Sequence, residues 1–189
     1  NARLEIYYEN IPANALRLFE SKYAENPSDA NLYGLALAYK KNNNFNEGLA
    51  SLDKLLEKYP KNLVLNTTKV EFLSYFNKFN DALDLANKFL EISPKNYPLS
   101  ISKSQILLNM GQYFESEEII RDQLLRKNDS PELWFMLSET QKTSQNIVGY
   151  HQSRAEYFLL LGQDEKALNQ LEFALSLIHI SEPTRPSII

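Results

Sequence analysis

Apolar side chains recur along this sequence at the three- and four-residue spacing of amphipathic helices, and the helical stretches repeat every 34 residues. A shift of that length places Phe45 on Phe79 and then on Tyr113, and it places Pro60 on Pro94. A repeat of this size is a pair of helices that cannot bury its apolar face alone, so neighbouring copies must stack. The pattern therefore predicts an all-α chain, built as a solenoid of stacked antiparallel helices.

The repeat also predicts the boundaries of the structural units. We expect a partial repeat over 1–28, then full repeats over 29–62, 63–96 and 97–130, and further helices over 131–174. Gly162 is the next turn glycine after Gly111 and lies 51 residues later, which is one and a half periods. The repeat is therefore expected to slip by one helix near Asn146, so that the segment 148–161 closes one helix pair and opens the next. The total is roughly eleven helices.

Turn and capping residues mark the ends of several predicted helices. Asp29 is expected to cap the first helix of the repeat 29–62, and the asparagine run 42–44 is expected to form the turn after it. Gly48 should allow the two helices of this repeat to approach closely. Ser130 and Pro131 form a strong start signal, a capping hydroxyl followed by proline at the first helical position.

Apolar residues on the inward faces of these helices should form the core. The residues expected to be buried are Leu35, Tyr39, Leu52, Leu73, Ala82, Leu107, Leu137, Phe158 and Leu171. Several aromatic residues also fall at repeat positions or at helical spacing, which favours packing in the core over a platform for stacking nucleic-acid bases. They are Tyr7, Tyr8, Phe76, Phe79, Phe89 and Trp134.

Composition narrows the classes of function. The 189 residues are 43% apolar and 12% aromatic, as in a packed protein, and the net charge of -4 disfavours nucleic-acid binding. The absence of cysteine excludes disulfides, thiolate metal sites and cysteine nucleophiles, and it is compatible with either the cytoplasm or the periplasm.

No apolar run is long enough to span a bilayer. The chain begins at Asn1 with neither a methionine nor a signal-peptide pattern, as expected for a piece of a longer protein.

Little in the sequence predicts catalysis. The two histidines, His151 and His179, are not part of an H-E-x-x-H motif, so the zinc site of that motif cannot be built. Glu117 and Glu118 are adjacent on a predicted helix and point to different sides, so we expect solvated charges and not an acid–base pair. We therefore predict no catalytic residue, no cofactor and no metal in this fragment.

The repeating residues resemble the tetratricopeptide-repeat family. Its pattern consists of a bulky residue, a leucine-small pair, a tyrosine, a turn glycine, an aromatic residue, a small residue and a closing proline. The repeat 29–62 holds these positions with Leu32, Leu35, Ala36, Tyr39, Phe45, Gly48 and Pro60, and a later copy supplies Trp134, Leu137 and Ser138. Departures are Asn43 where glycine is usual and a polar first helix in the repeat 63–96. The resemblance implies a right-handed superhelix that binds proteins or extended peptides.

In that family the first helix of each pair lines a concave groove. By this register the lining would be Tyr33, Leu37, Lys40, Lys41, Thr67, Glu71, Tyr75, Ile101, Gln105, Leu108, Phe135 and Glu139. Members with a carboxylate clamp, which hold the C-terminus of cytosolic chaperones, need lysine and asparagine where this chain has Tyr33 and Leu37. The resemblance therefore implies protein contacts in the groove without binding of chaperone tails.

A narrower resemblance is carried by HQSRAEYFLLLGQDEKALNQLEFA at 151–174 and by the opening ARLEIYYENIPANALRLFES. Both look like the C-terminal repeat region of BepA-type periplasmic zinc metalloproteases, which follows a peptidase domain and serves outer-membrane protein assembly. This resemblance implies a non-catalytic adaptor in the periplasm, with an upstream peptidase, and with outer-membrane assembly machinery or unfolded outer-membrane proteins as partners. The alternatives are a free-standing repeat adaptor, cytoplasmic or in the envelope, and a scaffold that only dimerises.

The end of the sequence has a different character. The string LSLIHISEPTR, from Leu175 to Arg185, resembles the conceptual translation of a sequencing adapter. Native sequence is therefore expected to end near Ala174, with 175–189 a non-native tail that carries no information on function. The alternative is a genuine tail that Pro183 and Pro186 interrupt.

Overall fold

The structure is a computed structural model that describes residues 2–181. These residues form eleven α-helices and no strand, which confirms the predicted all-α architecture. The helices are α1 Ala2–Tyr8, α2 Pro12–Glu25, α3 Asp29–Lys41, α4 Phe45–Lys58, α5 Leu63–Tyr75, α6 Phe79–Ile92, α7 Tyr97–Asn109, α8 Tyr113–Leu124, α9 Pro131–Thr143, α10 Ile147–Leu160 and α11 Asp164–Ser181. The chain divides into two compact units, an N-terminal unit over Asn1–Ser102 and a C-terminal unit over Lys103–Ile189.

Five helix connections within residues 2–181 contain a residue with positive φ, namely Asn43 (60°), Asn77 (58°), Gly111 (79°), Gln145 (63°) and Gly162 (68°). At each turn the following residue donates its N–H to a carbonyl near the end of the preceding helix. The bond from Asn44 to Tyr39 and the bond from Gln163 to Phe158 are both 2.9 Å long. The first four positions are spaced by one period and the fifth follows by half a period, so the turns before and after α10 share one backbone geometry.

The core of the N-terminal unit depends on close approach between neighbouring helices. Ala36, Leu52 and Phe72 are fully buried and pack together, with the rings of Phe45 and Phe76 against them. Burial of a side chain such as Phe72 stabilises the fold by about 1.5–3 kcal/mol. Gly48 gives this ring of α5 its space. A Cβ atom at Gly48 would also stand 3.2 Å from Cβ of Tyr39 on α3, which agrees with the predicted close approach of α3 and α4.

The core of the C-terminal unit contains paired polar groups between its apolar side chains. Leu133 and Leu137 are fully buried, while the buried Gln141 accepts a hydrogen bond from Ser153 Oγ at 2.7 Å. Gln141 Nε2 also donates to Glu117 Oε1 at 3.1 Å. The prediction that Glu117 is a solvated charge is therefore wrong, because this carboxylate is only 18% exposed and bonds to Gln141 and to Arg121.

Capping residues define the helix starts. Ser130 caps α9 through its hydroxyl, which accepts the Leu133 N–H at 3.4 Å, and Pro131 takes the first helical position as predicted. Asp29 does not cap α3, contrary to expectation. Ser28 is the cap, and Asp29 is the first helical residue, where its carboxylate accepts hydrogen bonds from Lys58 at 2.7 Å and from the Tyr59 hydroxyl at 2.8 Å.

Most residues expected in the core are buried, namely Leu35, Leu52, Leu73, Ala82, Leu107 and Leu137, with Phe89 also buried. The prediction is wrong for Leu171, which is 44% exposed because the buried stripe of α11 follows Ala167 and Ala174 and Leu171 lies at its edge. Partial burial is found for Tyr39, Phe158, Phe76, Phe79 and Trp134.

The core prediction is wrong for Tyr7 and Tyr8. They are 76% and 74% exposed because α1 buries Ile6 alone. Of the expected tail, residues up to Ser181 continue helix α11, and the remaining residues, 182–189, lie outside the described part of the chain.

Candidate functional site

An open pocket of about 570 Å³ lies where α1, α3 and α5 meet in the N-terminal unit. Two aromatic rings and two aliphatic side chains line it together with three cations and one carboxylate. The lining residues are Arg3, Ile6, Tyr7, Leu37, Lys40, Lys41, Glu71 and Tyr75. This mixture of tyrosine, arginine and aliphatic surface is typical of protein-binding sites.

Arg3 connects the three helices at the floor of the pocket. Its Nε donates to the Tyr33 hydroxyl at 2.7 Å, and its Nη2 donates to Thr68 Oγ1 at 2.8 Å. Its Nη1 lies 3.4 Å from Glu71 Oε2. Because these partners stand 30, 65 and 68 residues away in sequence, Arg3 fixes the short helix α1 against α3 and α5.

Lys41 holds the other end of α1. Its ammonium donates to the carbonyl oxygen of Ile6 at 2.5 Å and to that of Glu9. The last carbonyls of a helix have no partner within it, so a cation there satisfies them and interacts favourably with the helix dipole. Lys41 therefore has a structural role at the pocket wall.

Lys40 and Tyr75 form the side of the pocket that is free to meet a ligand. The Lys40 ammonium lies 5.1 Å from the centre of the Tyr75 ring, and within the described residues it pairs with no carboxylate inside 4 Å. Burial lowers the pKa of Lys40, the attraction of Glu71 opposes that change, and the repulsion of Arg3 adds to it. Tyr75 is 49% exposed, and its hydroxyl donates to Asn43 Oδ1 at 3.0 Å.

No protein-family model matches this sequence, and no curated protein matches it. Solved structures do match over nearly the whole chain. A thermophilic TPR protein from Thermus thermophilus is similar over 92% of this chain and 95% of its own, with 20% identity and a TM-score of 0.68. PilW, a widely conserved type IV pilus biogenesis factor, is similar over 97% of this chain and 91% of its own, with 15% identity and a TM-score of 0.69.

A tetratricopeptide repeat protein from Parabacteroides merdae is similar over 96% of this chain and 78% of its own, with 15% identity and a TM-score of 0.61. The chain has the tetratricopeptide-repeat fold. At these identities the likeness shows the fold alone, in agreement with the fold predicted from the repeat.

The tetratricopeptide-repeat register placed twelve residues in a groove, and the structure brings five of them into the pocket. These five are Leu37, Lys40, Lys41, Glu71 and Tyr75. Tyr33 does not line the pocket, and its hydroxyl accepts a hydrogen bond from Arg3. Thr67 is buried and lines a smaller cavity of about 250 Å³ together with Arg3 and Glu71. Ile101 also belongs to the N-terminal unit and is half-buried.

The remaining groove residues belong to the C-terminal unit. Gln105 is exposed, and Leu108 and Glu139 are half-buried. Phe135 is 41% exposed and lies 5.5 Å from the ring of Tyr157, measured between ring centres.

Three pocket residues were missed from the sequence, namely Arg3, Ile6 and Tyr7. The repeat itself contained the signal. Subtracting 34 from Leu37 and Lys41 gives Arg3 and Tyr7, so the first partial repeat occupies the same groove positions as the full repeats. The assignment of Tyr7 to the core hid this correspondence.

The described residues contain no cluster of three or more His, Asp or Glu side chains that could hold a metal ion. His151 bonds through Nδ1 to Gln170 Oε1 at 2.8 Å and stacks on Phe173, with the ring centres 5.3 Å apart. These contacts give it a packing role. Among residues 2–181, none of the helices has the length and apolar character needed to cross a bilayer.

Proposed function

We propose that this chain is a protein-interaction module that binds an extended segment of a partner protein in the pocket formed by α1, α3 and α5. The observation that carries this proposal is that the exposed Tyr7 and Tyr75 line the same pocket as the half-buried Lys40, whose ammonium pairs with no carboxylate within the described residues. Tyrosine is a frequent anchor in protein interfaces because it buries much surface at a low cost in conformational entropy.

The more specific form of the proposal is that the module is the non-catalytic domain of a periplasmic metalloprotease that acts in outer-membrane protein assembly and quality control. Its support is the resemblance of 151–174 and of the opening segment to BepA-type proteins. The pocket chemistry fits such a substrate. Strands of outer-membrane barrels alternate apolar and polar residues and carry aromatic girdles, so an unfolded strand presents both classes of side chain that the pocket could contact.

The binding proposal is tested with a urea-denatured outer-membrane barrel protein, diluted into a solution of the full 189-residue chain and followed by fluorescence anisotropy. Replacing Tyr7 and Tyr75 together by alanine should weaken binding about tenfold or more, as expected for the loss of two aromatic anchors. The matched control is Ile92→Ala on α6, which removes a side chain that is 69% exposed and lies outside the pocket lining. If the double variant and the control bind the barrel protein with equal affinity, binding at the pocket is refuted.

The free-standing adaptor is the second candidate and makes a different prediction about the parent gene. A protease parent requires a signal peptide and an H-E-x-x-H helix encoded upstream of Asn1, and a free-standing adaptor requires neither. Sequencing the genomic region that encodes this chain distinguishes the two.

A further inference from the structure

An arginine in the C-terminal unit is held by aromatic rings in place of carboxylates. The guanidinium carbon of Arg154 on α10 lies 5.3 Å from the ring centre of Phe135, 5.0 Å from that of Tyr157 and 4.8 Å from that of Phe158. The faces of aromatic rings attract guanidinium groups, and contact with them leaves the in-plane N–H groups of arginine available to a ligand.

Arg3, Arg121 and Arg126 use those N–H groups within the protein. Arg121 Nη2 lies 2.6 Å from Glu117 Oε1, and Arg126 Nη2 lies 2.9 Å from Asp122 Oδ2. Within residues 2–181, Arg154 donates no hydrogen bond to a protein atom and pairs with no carboxylate. Its donors are therefore oriented by packing while their hydrogen-bonding capacity remains unused by this part of the chain.

An exposed apolar ring lies beside Arg154. Phe135 is 41% exposed, and its ring centre is 5.3 Å from the guanidinium carbon of Arg154. A second cation lies at the same cluster, since the Lys166 ammonium is 5.6 Å from the ring centre of Phe158. Lys166 donates to the neutral Gln163 side chain at 2.9 Å and forms no ion pair within the described residues.

We infer that Arg154, Phe135 and Tyr157 form a subsite for a peptide carboxylate that lies next to an apolar side chain of the same partner segment. A carboxylate matches the planar guanidinium with two parallel hydrogen bonds, and the apolar neighbour covers Phe135. This inference rests on the proposed protein-binding function and names the chemistry of the partner at the C-terminal unit.

Charge favours a peptide with a single carboxylate over a polyanion. Arg154 and Lys166 form no ion pair within the described residues, and the net charge of the chain is -4, so a nucleic acid or an anionic bilayer would meet overall repulsion from the protein. A single carboxylate flanked by leucine or phenylalanine satisfies the arginine and buries apolar area without bringing a large negative charge near the protein.

The test uses two fluorescent octapeptides with blocked ends, one with a single glutamate between two leucines among otherwise neutral residues and the other with glutamine in place of that glutamate. The full chain should bind the glutamate peptide about tenfold more tightly, as expected for a charge-assisted hydrogen bond. Arg154→Gln should abolish this preference. Arg126→Gln, which removes an arginine already paired with Asp122, should retain it.

Arg154→Lys keeps the charge without the planar fork and should lose several-fold in affinity, so it provides a second reading if Arg154→Gln does not fold. The Arg154 Nε–H resonance of the wild-type chain should also shift on addition of the glutamate peptide. An unchanged glutamate preference in both Arg154 variants would overturn the inference. Binding of phosphatidylglycerol vesicles that depends on Arg154, with no peptide preference, would likewise overturn it.

The double Tyr7 and Tyr75 variant separates this inference from the proposed function. If that variant loses binding to the denatured barrel protein while the Arg154 variants keep the glutamate preference, the N-terminal pocket is supported and the C-terminal subsite is refuted. If that variant binds normally while the Arg154 variants lose the glutamate preference, the pocket is refuted and the subsite is supported.

Discussion

The ring of Phe72 lies directly against the backbone of Gly48, where a Cβ atom would stand 2.6 Å from both Cε2 and Cζ of the ring. On the other side the same Cβ would lie 3.2 Å from Cβ of Tyr39. Glycine is therefore required here by the distance between helices α3, α4 and α5. No turn or positive φ is involved, because Gly48 is an ordinary helical residue of α4.

Gly48→Ala should destabilise the chain by about 1–3 kcal/mol, because the overpacking of a fully buried ring outweighs the better helix propensity of alanine. Chemical denaturation followed by circular dichroism measures this change. Adding Phe72→Leu should relieve the clash, so the double variant should lose less stability than the two single losses added together. Strict additivity would show that the two residues are not in contact.

Leu52→Ala should cost about 2–5 kcal/mol in unfolding free energy, since Leu52 is fully buried and the cavity can close only in part. Leu125→Ala is the matched control, because that side chain is 88% exposed and should change stability by less than about 0.5 kcal/mol. Similar small losses for both variants would contradict the packing around Leu52.

The turn between α9 and α10 offers a stabilising change. Gln145 has φ 63° and an exposed side chain, and Gly111 holds the same position one period earlier with φ 79°. Gln145→Gly should therefore raise the unfolding free energy by about 1 kcal/mol, and Gly111→Ala should lower it by a similar amount. Thermal unfolding of both variants should show shifts of opposite sign, and shifts of equal sign would contradict the turn geometry.

Lys40 should make stability depend on pH in the alkaline range. Because burial lowers its folded-state pKa below the unfolded value of about 10.4, the protonated ammonium opposes folding at neutral pH. Lys40→Met should therefore stabilise the chain near pH 7, and this gain should shrink as the pH rises through the folded pKa toward the unfolded one. Lys95→Met, at an exposed position on the loop before α7, should show no such dependence. A gain that grows with pH would contradict the burial of Lys40.

The repeat fold could be predicted from sequence because stacked helix pairs impose the same local rules in every copy. The 34-residue spacing of Phe45, Phe79 and Tyr113 fixes helix phase, and apolar residues such as Leu52 and Leu137 fix the buried face. The binding surface was only partly predictable. The register located Leu37, Glu71 and Tyr75, but the contacts of Arg3 join residues up to 68 positions apart and depend on packing that no local pattern encodes.

Predictions of burial are wrong where the residue lies at an edge of the packed helices and not in their interior. Tyr7 occupies a repeat position but lies on the short α1, which buries one side chain, and Leu171 lies at the edge of the buried stripe of α11. Arg154 could not be recognised at all, because its three aromatic neighbours come from two helices and its significance depends on the absence of a carboxylate partner among the described residues.

The most direct measurement of protein binding at the N-terminal pocket is photo-crosslinking in the host cell, with p-benzoylphenylalanine in place of Tyr75 or, as control, in place of Ile92. Both positions are exposed, at 49% and 69%, and only Tyr75 lines the pocket. Discrete protein adducts are expected from position 75, declining when Tyr7 is also replaced by alanine, and few or none are expected from position 92. Equal adducts from both positions, or adducts from position 92 alone, would contradict binding at the pocket.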